Sequence, residues 1–566
     1  MRPPKISGVE MPFVLPVTLA LALASAQAAT TQNATPLSAH LPAGALLTLE
    51  TRNAGPAIDR LAGLVAGVLE DAGLDEEGPG EMLAGVSELL KDSVGRESVV
   101  GVFTVGRSGG RFSPEVLAVV RAGQASAGIV KAMLPGGKGA RVGNYTFGRA
   151  DDLFVGQSAG LVYASTDKAL LMSYLGRLSG KTGPRLNTSV AYTTPTRPLG
   201  SQELSLYANF SAAAKVVRSE FARLGLPRLL SPLVDGLDTL GQYAGGLTTT
   251  AQGLTTRSAH AVNRQGKDQP LARLLTDTTD FAVQDILPAN VEAVQASACA
   301  PEQGAYLGRW LTRLDLLEPF GFLTDSQLAS HLERSGHYLG HECAQVALAG
   351  ATQASLNAED PLASLRRTVS YRRVTDQAAA QAHMPEYAAS LNAAIGGLRS
   401  TLGTGLNGAV KGMLNRDEMN GLGPTGMVGL GAAMGGIQEV DQLLRDLKLV
   451  YGFRDGYLVT AWSDEALRAA LDSSASTLGQ RPAFQAADLN LSGVAGWRYQ
   501  PDPADLTAED LLGAMPEDLK DEELDGLFGV VAEGAARLIN RYGGMSAQRS
   551  VQGNVILGKA NVSYDW

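Results

Sequence analysis

Residues 156–175 read GQSAGLVYASTDKALLMSYL, and residues 452–471 read GFRDGYLVTAWSDEALRAAL. Both stretches pass from a polar turn bracketed by glycines into an apolar strand, and from the strand into a helix. A tight β-hairpin turn needs residues that accept positive φ, and glycine does so without steric penalty. Gly156 and Gly160 bracket the first turn, Gly452 and Gly456 the second, and Ser158 stands opposite Arg454. The letters GQSAG also spell the G-x-S-x-G pattern of a hydrolase's nucleophile elbow. That device requires a helix directly after the serine, so that backbone N–H groups at the helix start form an oxyanion hole. Here Leu161, Val162, Tyr163 and Ala164 continue as a second strand, and the helix starts only near Asp167. Ser158 is therefore read as part of a hairpin turn and no catalytic residue is assigned. Asp167 and Asp464 are read as the N-caps of the two helices.

The pair is one of five matches that recur in the same order along the chain. LPAGALLTLETRN from Leu41 is echoed by LPANVEAVQASAC from Leu287, and VGRESVVGVF from Val94 by LGHECAQVAL from Leu339. LAVVRAGQASA from Leu117 corresponds to VSYRRVTDQAAA from Val369, and YAGGLTTTAQG from Tyr243 to YGGMSAQRSVQG from Tyr542. Ordered internal similarity of this kind is the signature of duplicated units. The offset grows from 246 (Leu41 to Leu287) to 297 (Asp167 to Asp464), so the second half carries extra residues. They fall mostly in an insert at about 388–439, rich in Gly, Ala and Met. The insert reads as a mobile surface loop, or alternatively as a lid, a docking arm or a shallow membrane-contacting element.

Each half opens with an alternating strand, followed in the first half by two amphipathic helices at 57–73 and 81–95. Further strands, a helix, the hairpin, more helices and a closing meander complete the unit. The expected fold class is α+β, with two tandem homologous repeats, each an antiparallel-rich sheet packed with amphipathic helices. Repeat 1 spans 38–265 and repeat 2 spans 285–566 with its Gly-rich insert.

The bulk composition fits this picture. A chain of 566 residues exceeds what one core organises, and 45% hydrophobic with 18% charged residues is globular. The net charge of −10 and the absence of any Lys/Arg-rich run exclude a nucleic-acid partner. Arg2 and Lys5, an apolar run from Phe13 to Ala24 and the small-x-small site Ala26-Gln27-Ala28 read as a signal peptide over 1–28. Cleavage near Ala28 removes Arg2, Lys5 and Glu10, leaving −11. No later run has the length of a transmembrane helix. The expectation is an exported protein of the periplasm or cell envelope.

In that compartment the two cysteines, Cys299 and Cys343, are expected to form a disulfide, with two buried thiols as the alternative. Three histidines cluster in sequence, His331, His337 and His341, with Glu333, Glu342 and Cys343 nearby. Imidazole and thiolate suit zinc or copper. Gly336 and Gly340 interrupt any helix that would align these groups, and no HExxH or paired CxxC is present. They are weak metal candidates, and no metal or other cofactor is assigned.

LPAGALLTLE, VGRESVVGVF and LGHECAQVAL, the G-x-L-V-x-(A/S) strand leading into a D-x-A-L helix, and RPAFQAADLNLSG from Arg481 together resemble a family of exported bacterial proteins known as a domain of unknown function. The Gly-rich insert departs from that pattern. The resemblance implies an envelope or periplasmic location and no known activity, and it supplies no functional residues. The resulting expectation is a non-enzymatic binding or scaffolding protein, with envelope proteins or an apolar small molecule as partners. The alternatives are a hydrolase using Ser158, a metal enzyme using His331, His337 and His341, or a carrier of an apolar ligand.

Overall fold

A computed structural model of the chain describes residues 35–71, 91, 95–108, 111–121, 139–224, 231–314, 325–355, 360, 362–414, 447–472, 474, 476–501, 506–513 and 525–566. The signal peptide at 1–28, most of the expected helix at 81–95 and the insert beyond residue 414 lie outside the described residues. The chain divides into two compact units: 1–269 with 553–559 and Trp566, and 270–552 with 560–565. Both are mixed α+β, built from antiparallel strands and amphipathic helices.

In the first unit the strands are β1 (Leu47–Arg52), β2 (Glu97–Ser108), β3 (Arg111–Arg121), β4 (Ala140–Val142), β5 (Tyr145–Ala150), β6 (Leu153–Ser158), β7 (Leu161–Ser165), β8 (Leu204–Asn209), β9 (Gln242–Thr250) and β10 (Gly253–Ala261). They pair antiparallel in the order β4-β5-β6-β7-β3-β2-β1-β8-β9-β10. Its main helices are α1 (Gly55–Asp71), α2 (Lys168–Leu178), α3 (Phe210–Leu224) and α4 (Ser231–Leu240). Strand alternation sends Val99, Leu117, Val119 and Tyr163 to one face, where Leu171, Tyr174 and Leu175 of α2 close the core.

The second unit contains β11 (Val291–Ala298), β12 (Leu339–Leu348), β13 (Thr368–Val374), β14 (Val450–Arg454), β15 (Tyr457–Ala461), β16 (Gly496–Gln500) and β17 (Tyr542–Gln552); the last strand of the chain is β18 (Val555–Tyr564). The pairing order is β14-β15-β13-β12-β11-β16-β17, again antiparallel. Its main helices are α5 (Gln303–Leu314), α6 (Asp325–Ser335), α7 (Gln377–Leu414), α8 (Asp464–Leu471) and α9 (Asp525–Asn540). Val294, Ala296, Ala344, Val346, Val369, Tyr371 and Val459 turn inward, beneath Ala466 and Ala470 of α8 and the rings of Phe484 and Trp497.

The hairpins fix the register of both sheets. Ala159 and Gly160 have φ of 54° and 71°, and Asp455 and Gly456 have 47° and 81°. Two successive positive φ values make a type I′ turn, whose twist matches that of the flanking strands, and Asp-Gly is a favoured pair for it. Ser158 pairs with Leu161, and Arg454 with Tyr457, so each loop has two residues.

Two local expectations are corrected. Asp167 caps α2, its carboxylate accepting from the Leu170 N–H, but in the second unit Ser463 caps α8 by accepting from Ala466. Asp464 is the first helical residue, where its charge faces the positive end of the helix dipole. The insert also does not begin as a loop. Residues 388–414 continue α7, a helix of 38 residues that starts at Gln377. Ala and Leu carry the helix through its glycines, and Asn392 ties it down by exchanging two hydrogen bonds with the Leu449 backbone at 2.7 and 3.0 Å.

Candidate ligand-binding cavity

Register decides what the other face of the second sheet presents. Ser297, Cys343, Arg372 and Leu458 lie in one row across β11, β12, β13 and β15, and Gln295, Gln345, Ser370 and Thr460 in the next. Side chains directly opposite share a face, so these rows form a polar floor on the side away from the apolar core. Helices α5, α6 and α7 supply Leu307, Leu332, Met384 and Tyr387 above it. Between floor and helices lies a cavity of about 370 Å³. That volume is within the usual range for a small-molecule site, which is about 300–1,000 Å³.

The first two of these helices approach closely because Gly304 and Gly308 face α6. A Cβ at Gly304 would stand 2.1 Å from the Leu332 carbonyl oxygen, and one at Gly308 would stand 2.9 Å from Ala329 Cα. Cys299 and Cys343 are disulfide-bonded and both line the cavity. They are 44 positions apart, and α5 and α6 lie in the loop they close.

Arg372 is the one charged residue among the described residues lining the cavity. Its Nε and Nη2 are shut off from solvent and have no hydrogen-bond partner. Burial pulls the guanidinium down from its ordinary pKa, against the nearby Tyr338 and Tyr387 phenols, which favour its charge. The corresponding rows of the first unit are Thr51, Ser98, Val120, Val162 and Leu49, Val100, Ala118, Ala164. These eight residues are largely apolar and include no cation. Elsewhere, a cleft of about 310 Å³ in the first unit contains Glu50 and Arg52, which pair with each other at 2.6 Å.

A buried histidine pair stands beside the cavity. His331 of α6 and His383 of α7 are 8% and 3% exposed, and their Nδ1 and Nε2 share a hydrogen bond of 3.0 Å. His383 Nδ1 bonds the Tyr338 hydroxyl at 2.9 Å, and His331 Nε2 bonds Ser390 Oγ at 3.2 Å. Tyr387 stacks on His383 with ring centroids 6.1 Å apart. Burial, then Arg334, then His331 lower the His383 pKa below its ordinary 6.5, opposed by Glu386. A bond between two imidazole nitrogens needs one donor and one lone pair, so it is lost when both rings are fully protonated.

The sign of the pH effect follows. A folded-state pKa below the unfolded value contributes stability that is present above the unfolded value and is lost as pH falls from 6.5 toward the depressed folded value. Below about pH 6.5, a His383→Gln chain should therefore lose less stability on acidification than the native chain. Urea midpoints of both proteins between about pH 8 and about pH 5 check this. Parallel curves would remove His383 as the titrating group.

The sequence-identified residues fall in separate places. His331 lies in the buried pair, His337 is an exposed turn residue, and His341 on β12 is exposed with Nδ1 3.0 Å from Asp277 Oδ2. The described residues contain no group of three or more His, Cys, Asp or Glu that could hold a metal ion. Ser158 Oγ donates to its neighbour's carbonyl, Gln157 O, at 2.6 Å and accepts from the Thr146 N–H at 3.1 Å. His383 and Arg372 were not singled out, and the buried Glu342 was noted only as a neighbour of the histidine cluster, not as a structural clamp. Glu342 Oε1 accepts from the backbone of Ala282 and Val283, both at 2.7 Å, and Oε2 accepts from the Tyr457 hydroxyl. In the first unit Glu97 accepts from the Leu37 N–H at 2.6 Å and pairs with Arg121. The signal was present in the aligned E of VGRESVVGVF and LGHECAQVAL.

No family model matches the chain, and no curated protein matches it. Among solved structures it is similar to crystal form III of TP0453, at 14% identity and a TM-score of 0.24, covering 44% of this chain and 91% of that one. Form IV gives 15% identity and 0.24, covering 40% and 81%. Form I gives 14% and 0.22, covering 44% and 88%. Likeness at these scores carries no argument about fold or function. No described helix is long and apolar enough to cross a membrane.

Proposed function

We propose that this is an exported, non-enzymatic binding protein of the periplasm or cell envelope, which carries an apolar small molecule in its second unit. The observation that carries the reading is the cavity of about 370 Å³, with Leu307, Leu332, Met384 and Tyr387 on one side and a polar strand floor on the other. A space with apolar walls and a few placed polar groups suits a ligand that is mostly hydrocarbon. Export is supported by the leader at 1–28 and by the Cys299–Cys343 disulfide, a bond that persists in oxidising compartments.

The same proposal includes a duplicated architecture, repeat 1 at 38–265 and repeat 2 at 285–566. It is supported by the strand order β6-β7-β3-β2-β1-β8-β9 in the first unit, which reads position for position as β14-β15-β13-β12-β11-β16-β17 in the second. The aligned glutamates add support, since Glu97 and Glu342 accept from the backbone N–H groups of Leu37 and Val283. The duplicated scaffold then differs where function requires it, at the floor rows.

The test is organic extraction of the full chain, purified without detergent from cells that export it, followed by mass spectrometry of the extract. An amphiphile recovered in near-stoichiometric amount is expected. A native mass equal to that of the bare chain, with an empty extract, would overturn the proposal.

A further inference from the structure

Arg372 is an expensive residue to keep where it is. Arginine stays charged at all physiological pH, and Arg372, half-buried and without an ion-pair partner in the cavity lining, gives up part of its hydration uncompensated. Its Nε and Nη2 are closed to solvent and have no hydrogen-bond partner in the protein. A guanidinium is the natural counterpart of a carboxylate or phosphate. No Asp or Glu appears among the described residues lining the cavity, so the protein supplies no anion there. The fold does not require the cation either, because Val120 holds the equivalent row position in the first unit, paired with Val162 as Arg372 is with Leu458. The row places Arg372 beside Ser297 and Cys343 on the floor, with Leu332 and Met384 among the apolar groups of the cavity.

From this juxtaposition we infer that the cavity takes an amphiphile with a single anionic head, a carboxylate or a phosphate monoester, which pairs with the Arg372 guanidinium while its hydrocarbon lies against the helices. The inference rests on the carriage reading and sharpens it: charge at the head selects the ligand, and the apolar wall sets only its bulk. A neutral molecule of the same length leaves the guanidinium unpaired and binds more weakly. The Arg372→Met chain loses the selection but retains the fold, since a buried cation replaced by a similar apolar volume is commonly neutral or stabilising.

The experiment is calorimetric titration of the full, ligand-stripped chain with dodecanoate, dodecyl phosphate and dodecanol, each below its aggregation range. The native chain should bind the better of the two anions roughly tenfold or more tightly than dodecanol, the ratio expected from hydrogen bonds to a charged group. Whichever anion binds better identifies the head. Arg372→Met should bind anion and alcohol alike, and Arg372→Lys, which keeps the charge without the fork, should fall between. Thermal unfolding without ligand verifies that each variant is folded. Equal binding of anion and alcohol by the native chain, or a preference that survives in a folded Arg372→Met chain, would overturn the inference and leave carriage standing. Binding of none of the three by the native chain would overturn both.

Discussion

Glu342→Ala is expected to destabilise the second unit by roughly 2–5 kcal/mol, because truncation leaves several buried polar groups without partners at once. Glu342 is 4% exposed. One carboxylate oxygen accepts from two consecutive backbone N–H groups, Ala282 and Val283, and the other from Tyr457. Those contacts fasten the segment that leads into β11 onto β12 and β15. Glu342→Gln should cost far less. Its amide oxygen still accepts from the two N–H groups, and the Tyr457 hydroxyl rotates to accept from the new NH₂. Urea unfolding of the three proteins tests this. If Ala and Gln are equally destabilising, the charge is what matters, and Glu342 does not act as a hydrogen-bonding clamp.

Removing the disulfide has an effect of similar size. A closed loop spanning 44 positions stabilises the native state by about 4 kcal/mol in the chain-entropy account. A Cys299→Ser, Cys343→Ser chain should therefore unfold at markedly lower urea, and a reductant should shift the native protein to the same midpoint while leaving the variant unchanged. The consequence reaches the cavity. Helices α5 and α6, which supply Leu307 and Leu332, lie in the loop that the bond closes. Ligand affinity should thus fall in the variant even where it is fully folded. An unchanged midpoint under reductant would show that this bond contributes nothing to the fold.

How far the sequence reveals this molecule depends on whether a feature is local. The two hairpins were legible because a type I′ turn is set by its own residues, Ala159-Gly160 and Asp455-Gly456. The N-cap of α8 was misread by one residue for an equally local reason, since Ser463 and Asp464 are both good caps and only geometry chooses between them. Glycines in 388–414 suggested a loop, yet a helix tolerates several of them when Ala and Leu surround them and its start is packed. The cavity floor was illegible. Gln295, Ser297, Gln345, Ser370 and Thr460 come from four strands and look, one strand at a time, like the solvent face of an antiparallel sheet. Nothing in a strand reports that helices from elsewhere cover it. His383 was missed for the same reason, being 52 positions from His331 in the chain and hydrogen-bonded to it in space.

The most direct test of carriage by the second unit is a crystal structure of the full chain grown with ω-bromododecanoate, read by bromine anomalous scattering. The account predicts a bromine peak against Leu307, Leu332 and Met384, with the carboxylate against the Arg372 guanidinium. A bromine peak anywhere else, or none from crystals grown with saturating ligand, would contradict it.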